Sequence, residues 1–549
     1  MTLFLRLRPA PANHPLALLL ACCISSLALG TAHADTPLPR EVLQALARAG
    51  VPASAVSVVV RSIPADSSKP ALGTTSSATS TATPSEPKSL TLLSHHAKTS
   101  RNPASVMKLV TTYAGLDMLG PDFTWKTRVY TDGALNNGVL DGNLVVRGGG
   151  DPKLVLERIS ELFAQVRAKG VREVRGDLLL DNSVFSLPEA NAADFDDEPL
   201  RPYNAAPDGL LVNFKSLIFT FTPDEANRRV LVRTDPPIAQ VVLPTEVPMG
   251  SGSATPCGDW RSLLKADFSD PLKVQFVGKY AASCGERVWP VAYVQPRAYA
   301  GRVLQAMWLT GSSSSTATGV TPATAQTTSL GGQTRSDKLP ATARLLHTAD
   351  SLPLREIIAD INKFSNNVMA QQLFLSLSAY PARKSTLVQP SLDATNPAQA
   401  MNGPATRRAS FEASQKAVAA WWKQALPQSS APVLENGSGL SRKERASAQA
   451  ISDLLLLAAA SPQAQVFADS LGIAGVDGTV QRMRDRNPEA QSLGRAQLKT
   501  GTLKDVAAVA GYVTALSGQR IGVVALVNHP NAGAARPALD ALVEWAVKQ

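Results

Sequence analysis

Asn102-Pro103-Ala104-Ser105-Val106-Met107-Lys108-Leu109-Val110 is the stretch on which the reading of this chain turns. Asn102 is a favoured helix cap, Pro103 suits the first helical position, and the apolar residues that follow predict a helix running to Leu119. Gly120-Pro121 stops it. Ser105 then falls in the first turn, with Lys108 three residues on and on the same face. A hydroxyl and an amine side by side, where backbone N–H groups point outward, is what a serine nucleophile with a lysine base requires. Taken alone, S-x-x-K is a pattern that chance supplies. Ser85-Glu86-Pro87-Lys88 matches it too, in a Ser/Pro stretch with no helix to orient the pair.

The chain has 549 residues, 44% of them hydrophobic, enough for a large core and for more than one. Its formal charge of +10 comes without Lys/Arg blocks interleaved with aromatics, which are only 5% of the residues, so a solvated basic surface is expected and no nucleic-acid partner. The N-terminus reads as a signal peptide: Arg6 and Arg8, an apolar core over 16–29, and Ala32-His33-Ala34 as the cleavage site. No later stretch is long and apolar enough to span a bilayer, so the mature protein is expected in the periplasm, with at most peripheral membrane association. Of four cysteines, Cys22 and Cys23 leave with the signal. Cys257 and Cys284 remain as a pair in an oxidising compartment, and a disulfide is expected. Six histidines show no paired metal-ligand spacing, and no metal is expected.

The order of elements predicts an α/β fold. A short helix over 40–49 precedes a β-branched strand over 55–61, and 90–94 supplies its partner strand. At the other end 496–502, 506–515 and 521–528 read as three strands joined by turns at Lys504-Asp505 and Ser517-Gly518, followed by an amphipathic helix over 534–548. Two strands in front and three behind predict one antiparallel five-stranded sheet flanked by helices. Between the halves, 126–340 changes to short β-rich runs with one helix over 153–168, a β-rich multi-module insertion. The catalytic halves are then 35–125 and 341–549. Three low-complexity tracts, 62–89, 311–336 and 382–408, are too poor in apolar residues to build a core. The tract at 311–336 reads as a mobile loop. Helical texture spans 352–378, 411–425 and 447–460, the last with Ser447 as cap.

Two further boxes follow the first in order. Ser365-Asn366-Asn367 offers a second hydroxyl and an amide two residues apart at a loop or helix start. Lys499-Thr500-Gly501-Thr502 ends a C-terminal strand. The sequence S-x-x-K, S-x-N, K-T-G is far more specific than any of its parts. With Asn436-Gly437-Ser438-Gly439-Leu440-Ser441-Arg442 between the last two, the chain resembles the penicillin-recognising serine acyltransferases, and within them the class C low-molecular-weight penicillin-binding proteins. These are D-alanyl-D-alanine carboxypeptidase/endopeptidases. A large insert between the first two boxes is similar to that family too.

The resemblance implies a β-lactamase/transpeptidase-like domain, no cofactor, peptidoglycan peptides as substrates and β-lactams as covalent inhibitors. It implies Ser105 as nucleophile, Lys108 as base, Ser365 as proton relay and Asn367 on the substrate amide. Lys499, Thr500, Gly501 and Thr502 would form the strand that binds the substrate carboxylate. Gln371 departs from the pattern, which has an acidic residue there, and is read as altering a helix surface or a substrate contact. A β-lactamase and a non-catalytic cell-wall binding or scaffold protein are the alternatives. Gly148-Gly149-Gly150-Asp151 lacks the Lys-Ser/Thr of a phosphate loop. Ser438 is read as a loop residue, His347 and His529 as solitary, and Asp477-Gly478-Thr479 as a turn that could border the site.

Overall fold

The computed structural model describes residues 35–64, 89–250, 257–310, 328–380, 382 and 408–549. The segment read as a signal peptide and most of the three low-complexity tracts lie outside them. Sheet formation joins the two ends of the chain. The order across the principal sheet is Gly472–Ile473, Ala496–Leu503, Val506–Thr514, Arg520–Asn528, Val56–Ser62 and Thr91–His95, antiparallel throughout. Five strands are those expected, and the sixth is a two-residue strand too short to leave a periodic signal. Val506–Thr514 and Arg520–Asn528 are buried on both faces almost end to end, which a sheet covered on both sides demands.

Side chains alternate between the two layers. Ala508, Ala510 and Tyr512 face the core built around the helix Lys108–Leu119. Ala507, Val509 and Val513 face the terminal helices Arg40–Arg48 and Arg536–Val547. Every residue of Lys108–Leu119 is buried, so this helix is the central post of its layer rather than an amphipathic surface helix. The expected helix over 352–378 is two helices, Leu354–Lys363 and Asn367–Ala379, broken at Ser365, whose φ is +57°. Asn366 caps the second by accepting from Met369 N, and Ser447 caps Ala448–Ala459 by accepting from Ala450 N.

The inserted region has sheets and a core of its own. Strand pairing carries it to Asp350 rather than residue 340, because Arg344–Asp350 is the edge strand beside Lys126–Asn136. The tail of the tract read as a mobile loop is also structured: Ser329–Leu330 pairs with Glu173–Val174 and Thr334–Ser336 with Leu178–Leu180. Two parallel residues in the first case and three in the second gain order from backbone pairing, not composition. Cys257 and Cys284 are joined by a disulfide in this region. Gln372 fastens the insertion to the catalytic layer. Its side chain donates to Gly150 O at 3.2 Å and Asp208 O at 2.9 Å, and accepts from Asp208 N at 2.9 Å.

A second fastening determines where the Ser105 turn sits. Asn528, at the end of its strand, accepts from Asn102 N at 2.8 Å and donates to Asn102 O at 2.9 Å. Asn528→Ala would leave both backbone groups of the buried Asn102 without partners, at a cost of about 1–3 kcal/mol. Urea unfolding should show a lower midpoint with an unchanged slope.

Candidate active site

Asn102 does not cap an α-helix as expected. Its Oδ1 accepts from Ala104 N at 2.8 Å and its Nδ2 donates to Ser441 O at 2.8 Å, folding the chain into a tight local turn. Ala104 takes a left-handed φ of +45°, and Ala104–Met107 is a 3-10 turn that becomes α-helix only at Lys108. This departure serves the pair better than an α-helix would, because residues three apart eclipse in a 3-10 turn. Lys108 Nζ lies 2.8 Å from Ser105 Oγ.

Two other groups surround that amine. Asn367 Oδ1 stands 2.7 Å from it, and the carbonyl oxygen of Ser438 is a close third partner. Asn367 is turned so that its oxygen faces the lysine, because its Nδ2 donates to Tyr203 O at 3.1 Å. An amide oxygen and a backbone carbonyl can only accept. A neutral amine has two protons and one lone pair, so the protons go to these acceptors and the lone pair is left facing the Ser105 hydroxyl. Burial pushes the Lys108 pKa well below the usual lysine range, the Lys499 charge pushes the same way, and the Glu444 carboxylate opposes both. The lysine is fully buried, so the neutral form is the one this environment favours.

A second amine and hydroxyl face the first pair. Lys499 Nζ donates to Ser365 Oγ at 2.8 Å and to Thr500 O at 2.7 Å. Burial lowers its pKa to about 7. Gly501 is where the strand passes the Ser105 turn: a Cβ there would lie 2.6 Å from Pro103 O and 3.1 Å from Ser105 N, so only glycine permits the approach. Ser105, Ser365, Thr500, Gly501 and Thr502 line one cavity of about 300 Å3. Thr479 lines it as well, with its hydroxyl 2.8 Å from that of Thr500, so the Asp477-Gly478-Thr479 turn does border the site. Asp477 pairs with Lys363 at 2.6 Å and thereby ties the turn to the helix before Ser365.

Sequence reasoning missed Glu444. Its Oε1 accepts from Glu435 N, Asn436 N and Gly437 N at 3.0, 3.0 and 2.8 Å, and its Oε2 accepts from Gly439 N at 2.9 Å. This fully buried carboxylate shapes the loop that presents the Ser438 carbonyl to Lys108. Within Arg442-Lys443-Glu444-Arg445 it looks like part of a solvated charge run, and nothing in the composition marks the one residue turned inward. Gly439 has a φ of +79° and a Cβ there would lie 2.0 Å from Ala104 O, so this loop rests directly on the Ser105 turn. Gln371 is not on a helix surface: it is buried, with Nε2 3.5 Å from Ser438 Oγ. Ser438 Oγ is taken up by Asn436 Oδ1 at 2.7 Å, as a loop residue requires.

The remaining candidates stay apart. His347 lies on the strand Arg344–Asp350, and His529 Nδ1 accepts from Asn531 N at 3.1 Å. Gly150 turns the chain at φ +85° over Phe185. Asp35, His95 and His96 bring three donor atoms within 4.8 Å of one another, with His96 paired to Asp35 at 3.2 Å; none of them lines the cavity. No helix among the described residues is long and apolar enough to cross a membrane.

The model of the D-Ala-D-Ala carboxypeptidase 3 (S13) family matches residues 61–396 and 394–549. The chain is 25% identical over 438 residues to D-alanyl-D-alanine carboxypeptidase DacB of Haemophilus influenzae, covering 78% of this chain and 81% of that one. It is 29% identical over 454 residues to a D-alanyl-D-alanine carboxypeptidase of an Actinomadura species, covering 79% and 74%. The crystal structure of penicillin binding protein 4 (dacB) from Haemophilus influenzae shares the fold, with a TM-score of 0.63 and 21% identity over 91% of this chain and 99% of that one. One family model thus runs through the Ser105, Ser365 and Lys499 segments alike, and the chain belongs to the D-Ala-D-Ala carboxypeptidase 3 (S13) family.

Proposed function

We propose that this chain is an exported serine peptidase of peptidoglycan, a D-Ala-D-Ala carboxypeptidase that also cleaves D-Ala-diaminopimelate cross-links, working through an acyl-enzyme on Ser105. The observation that carries the reading is the pair of amine–hydroxyl contacts, Lys108–Ser105 and Lys499–Ser365, both at 2.8 Å, whose two serines line one cavity. A scaffold that only bound murein has no use for a neutral buried base aimed at a hydroxyl. The signal-like N-terminus supports a periplasmic location, with cleavage near Ala34. The inserted sheets at 126–350 stand between the two catalytic parts as a separate β-rich region.

In the proposed reaction Ser105 Oγ attacks the carbonyl carbon of the penultimate D-Ala while its proton passes to the lone pair of Lys108. Backbone N–H groups of Ser105 and Thr502 hold the oxyanion, each donor worth on the order of 3 kcal/mol in the transition state. The C–N bond then breaks, and Ser365 relays to the leaving amine the proton that Lys108 took up, giving its own and receiving that one, so that Ser365 keeps its hydroxyl and Lys108 is neutral again. Asn367 holds the substrate amide. Lys499, Thr500 and Thr502 bind the terminal carboxylate. Water attacks the ester as Lys108 takes its proton, and Lys108 returns that proton to Ser105 Oγ as the acyl–oxygen bond breaks, which releases the acid and regenerates both residues. A β-lactam carbonyl in the same place would acylate Ser105 in the same way.

Incubation with a penicillin followed by intact-mass and peptide mass spectrometry should find a lasting adduct on the Ser105 peptide, absent from Ser105→Ala. Rapid turnover without an adduct would instead identify a β-lactamase. A folded protein with neither would leave only the binding role.

The acylation rate should be bell-shaped in pH. Lys108 must be neutral to accept the proton, so the rate rises as pH climbs through its depressed pKa. Lys499 must be charged, so the rate falls as pH rises through about 7. Lys499→Arg, whose guanidinium keeps its proton, should retain the acid limb and lose the alkaline one.

A further inference from the structure

Consecutive side chains of an extended strand point to opposite faces. His95 and His96, where the outermost strand Thr91–His95 of the principal sheet runs out, break that rule. His96 takes a left-handed φ of +44°, and the two rings meet edge to face with centroids 4.3 Å apart. The turn is held from both sides: His96 N donates to Asp35 Oδ1 at 2.9 Å, and His96 O accepts from Ser57 Oγ at 2.8 Å. Asp35 is brought there by backbone pairing of the segment before the helix Arg40–Arg48. Thr36 N donates to Ser94 O at 2.6 Å, and Thr36 Oγ1 accepts from Ser94 N at 3.2 Å. One donor atom from each of Asp35, His95 and His96 then lies within 4.8 Å of the other two.

The ring nitrogens differ in what they face. His95 Nε2 lies 3.1 Å from the carbonyl oxygen of Ala53, which can only accept, so Nε2 carries the proton and Nδ1 the lone pair. That Nδ1 is buried and has no hydrogen-bond partner among the described residues. Buried polar atoms rarely go without a partner. An imidazole whose N–H is fixed by a backbone carbonyl, with its other nitrogen free, is arranged as a metal-ligating histidine is. His96 Nδ1 stands 3.2 Å from Asp35 Oδ2. Two ligand atoms about 2 Å from one tetrahedral ion are themselves about 3.3 Å apart, so an ion can replace the shared proton with little movement. An ordinary ion pair accounts for Asp35 and His96, but not for the free nitrogen of His95.

We propose that Asp35, His95 and His96 form a site for a divalent transition-metal ion of the zinc type, which staples the segment before the first helix to the outer edge of the principal sheet. Two imidazoles and one carboxylate are ligands such an ion accepts, and the exposed side at Asp35 leaves its fourth position to water. Histidine spacing could not announce the site, because its third ligand comes from 61 residues away from His96. None of the three residues lines the Ser105 cavity, so the site is independent of the peptidase reading. Its role is to hold an edge strand that no further strand covers among the described residues.

The test is calorimetric titration of the chelator-treated protein with ZnCl2, with thermal unfolding in the presence and absence of the ion. One ion per chain should bind, and the melting temperature should rise with zinc concentration, as for a ligand that binds only the folded state. His95→Gln and His96→Asn should each weaken binding by roughly tenfold or more and remove the rise in melting temperature. Asparagine tolerates the left-handed backbone of His96, and circular dichroism checks the fold of each variant. Asp35→Asn, which keeps an oxygen for His96 N, should weaken binding in a protein that still folds, and His347→Gln should bind as the wild type does. A folded wild-type protein that takes up no zinc, or undiminished binding after loss of both His95 and His96, would overturn the site and leave only the ion pair.

Discussion

Two fully buried lysine amines in one site, each on a serine hydroxyl, are the constraint around which this protein is built. Two buried charges of like sign repel, and removing either from water is expensive. The site resolves this by making the two amines unequal. Lys108 is surrounded by acceptors and held well below the usual lysine range by burial and by the Lys499 charge, while burial alone lowers Lys499 to about 7. One is thereby fitted to take a proton and the other to keep one. Glu444 moderates the division from below: it favours charge on Lys108, yet spends its own lone pairs on four backbone N–H groups of the loop. Burial also raises the pKa of Glu444, and those backbone donors act to hold it down.

Positioning falls to backbone in strained or crowded conformations. Ala104 and Ser365 adopt left-handed φ values, which cost L-residues about 1–2 kcal/mol each. Gly439 and Gly501 allow two segments to rest on the Ser105 turn at distances no side chain would permit. The surrounding helices and the asparagine clamp stabilise what the turn alone would not adopt. Strain of this kind concentrates where geometry must be held for a reaction.

What was legible in the sequence follows from range. The residues proposed to carry the reaction sit in short motifs whose order along the chain is informative, so Ser105, Lys108, Ser365, Asn367 and Lys499, which the fold brings together, could be singled out without coordinates. Val56–Ser62 announced itself by its β-branched run, and the three C-terminal strands by the turns at Lys504-Asp505 and Ser517-Gly518 that separate them. The start of the Ser105 helix was misplaced because Asn102 and Pro103 satisfy helix-cap preferences while tertiary hydrogen bonds from Asn528 and to Ser441 impose a different turn. Glu444 and Gln371 were hidden for a similar reason: burial of a polar residue is decided by distant partners. The tail of the 311–336 tract escaped because parallel pairing to a distant strand needs few apolar residues of its own.

The closure of the principal sheet also governs the order in which the protein can come into being. Val56–Ser62 finds its neighbour in Arg520–Asn528, and the clamp on Asn102 arrives with the last residue of that strand. Almost the whole chain must therefore be synthesised before the nucleophile acquires its setting. Contacts so distant in sequence are slow to form, and until they do the first strand stands with an open edge. The inserted sheets, made entirely of residues between the two halves, need not wait. A nascent chain released early would carry a folded middle and no hydrolytic centre, so chemistry on the wall begins only when the polypeptide is finished.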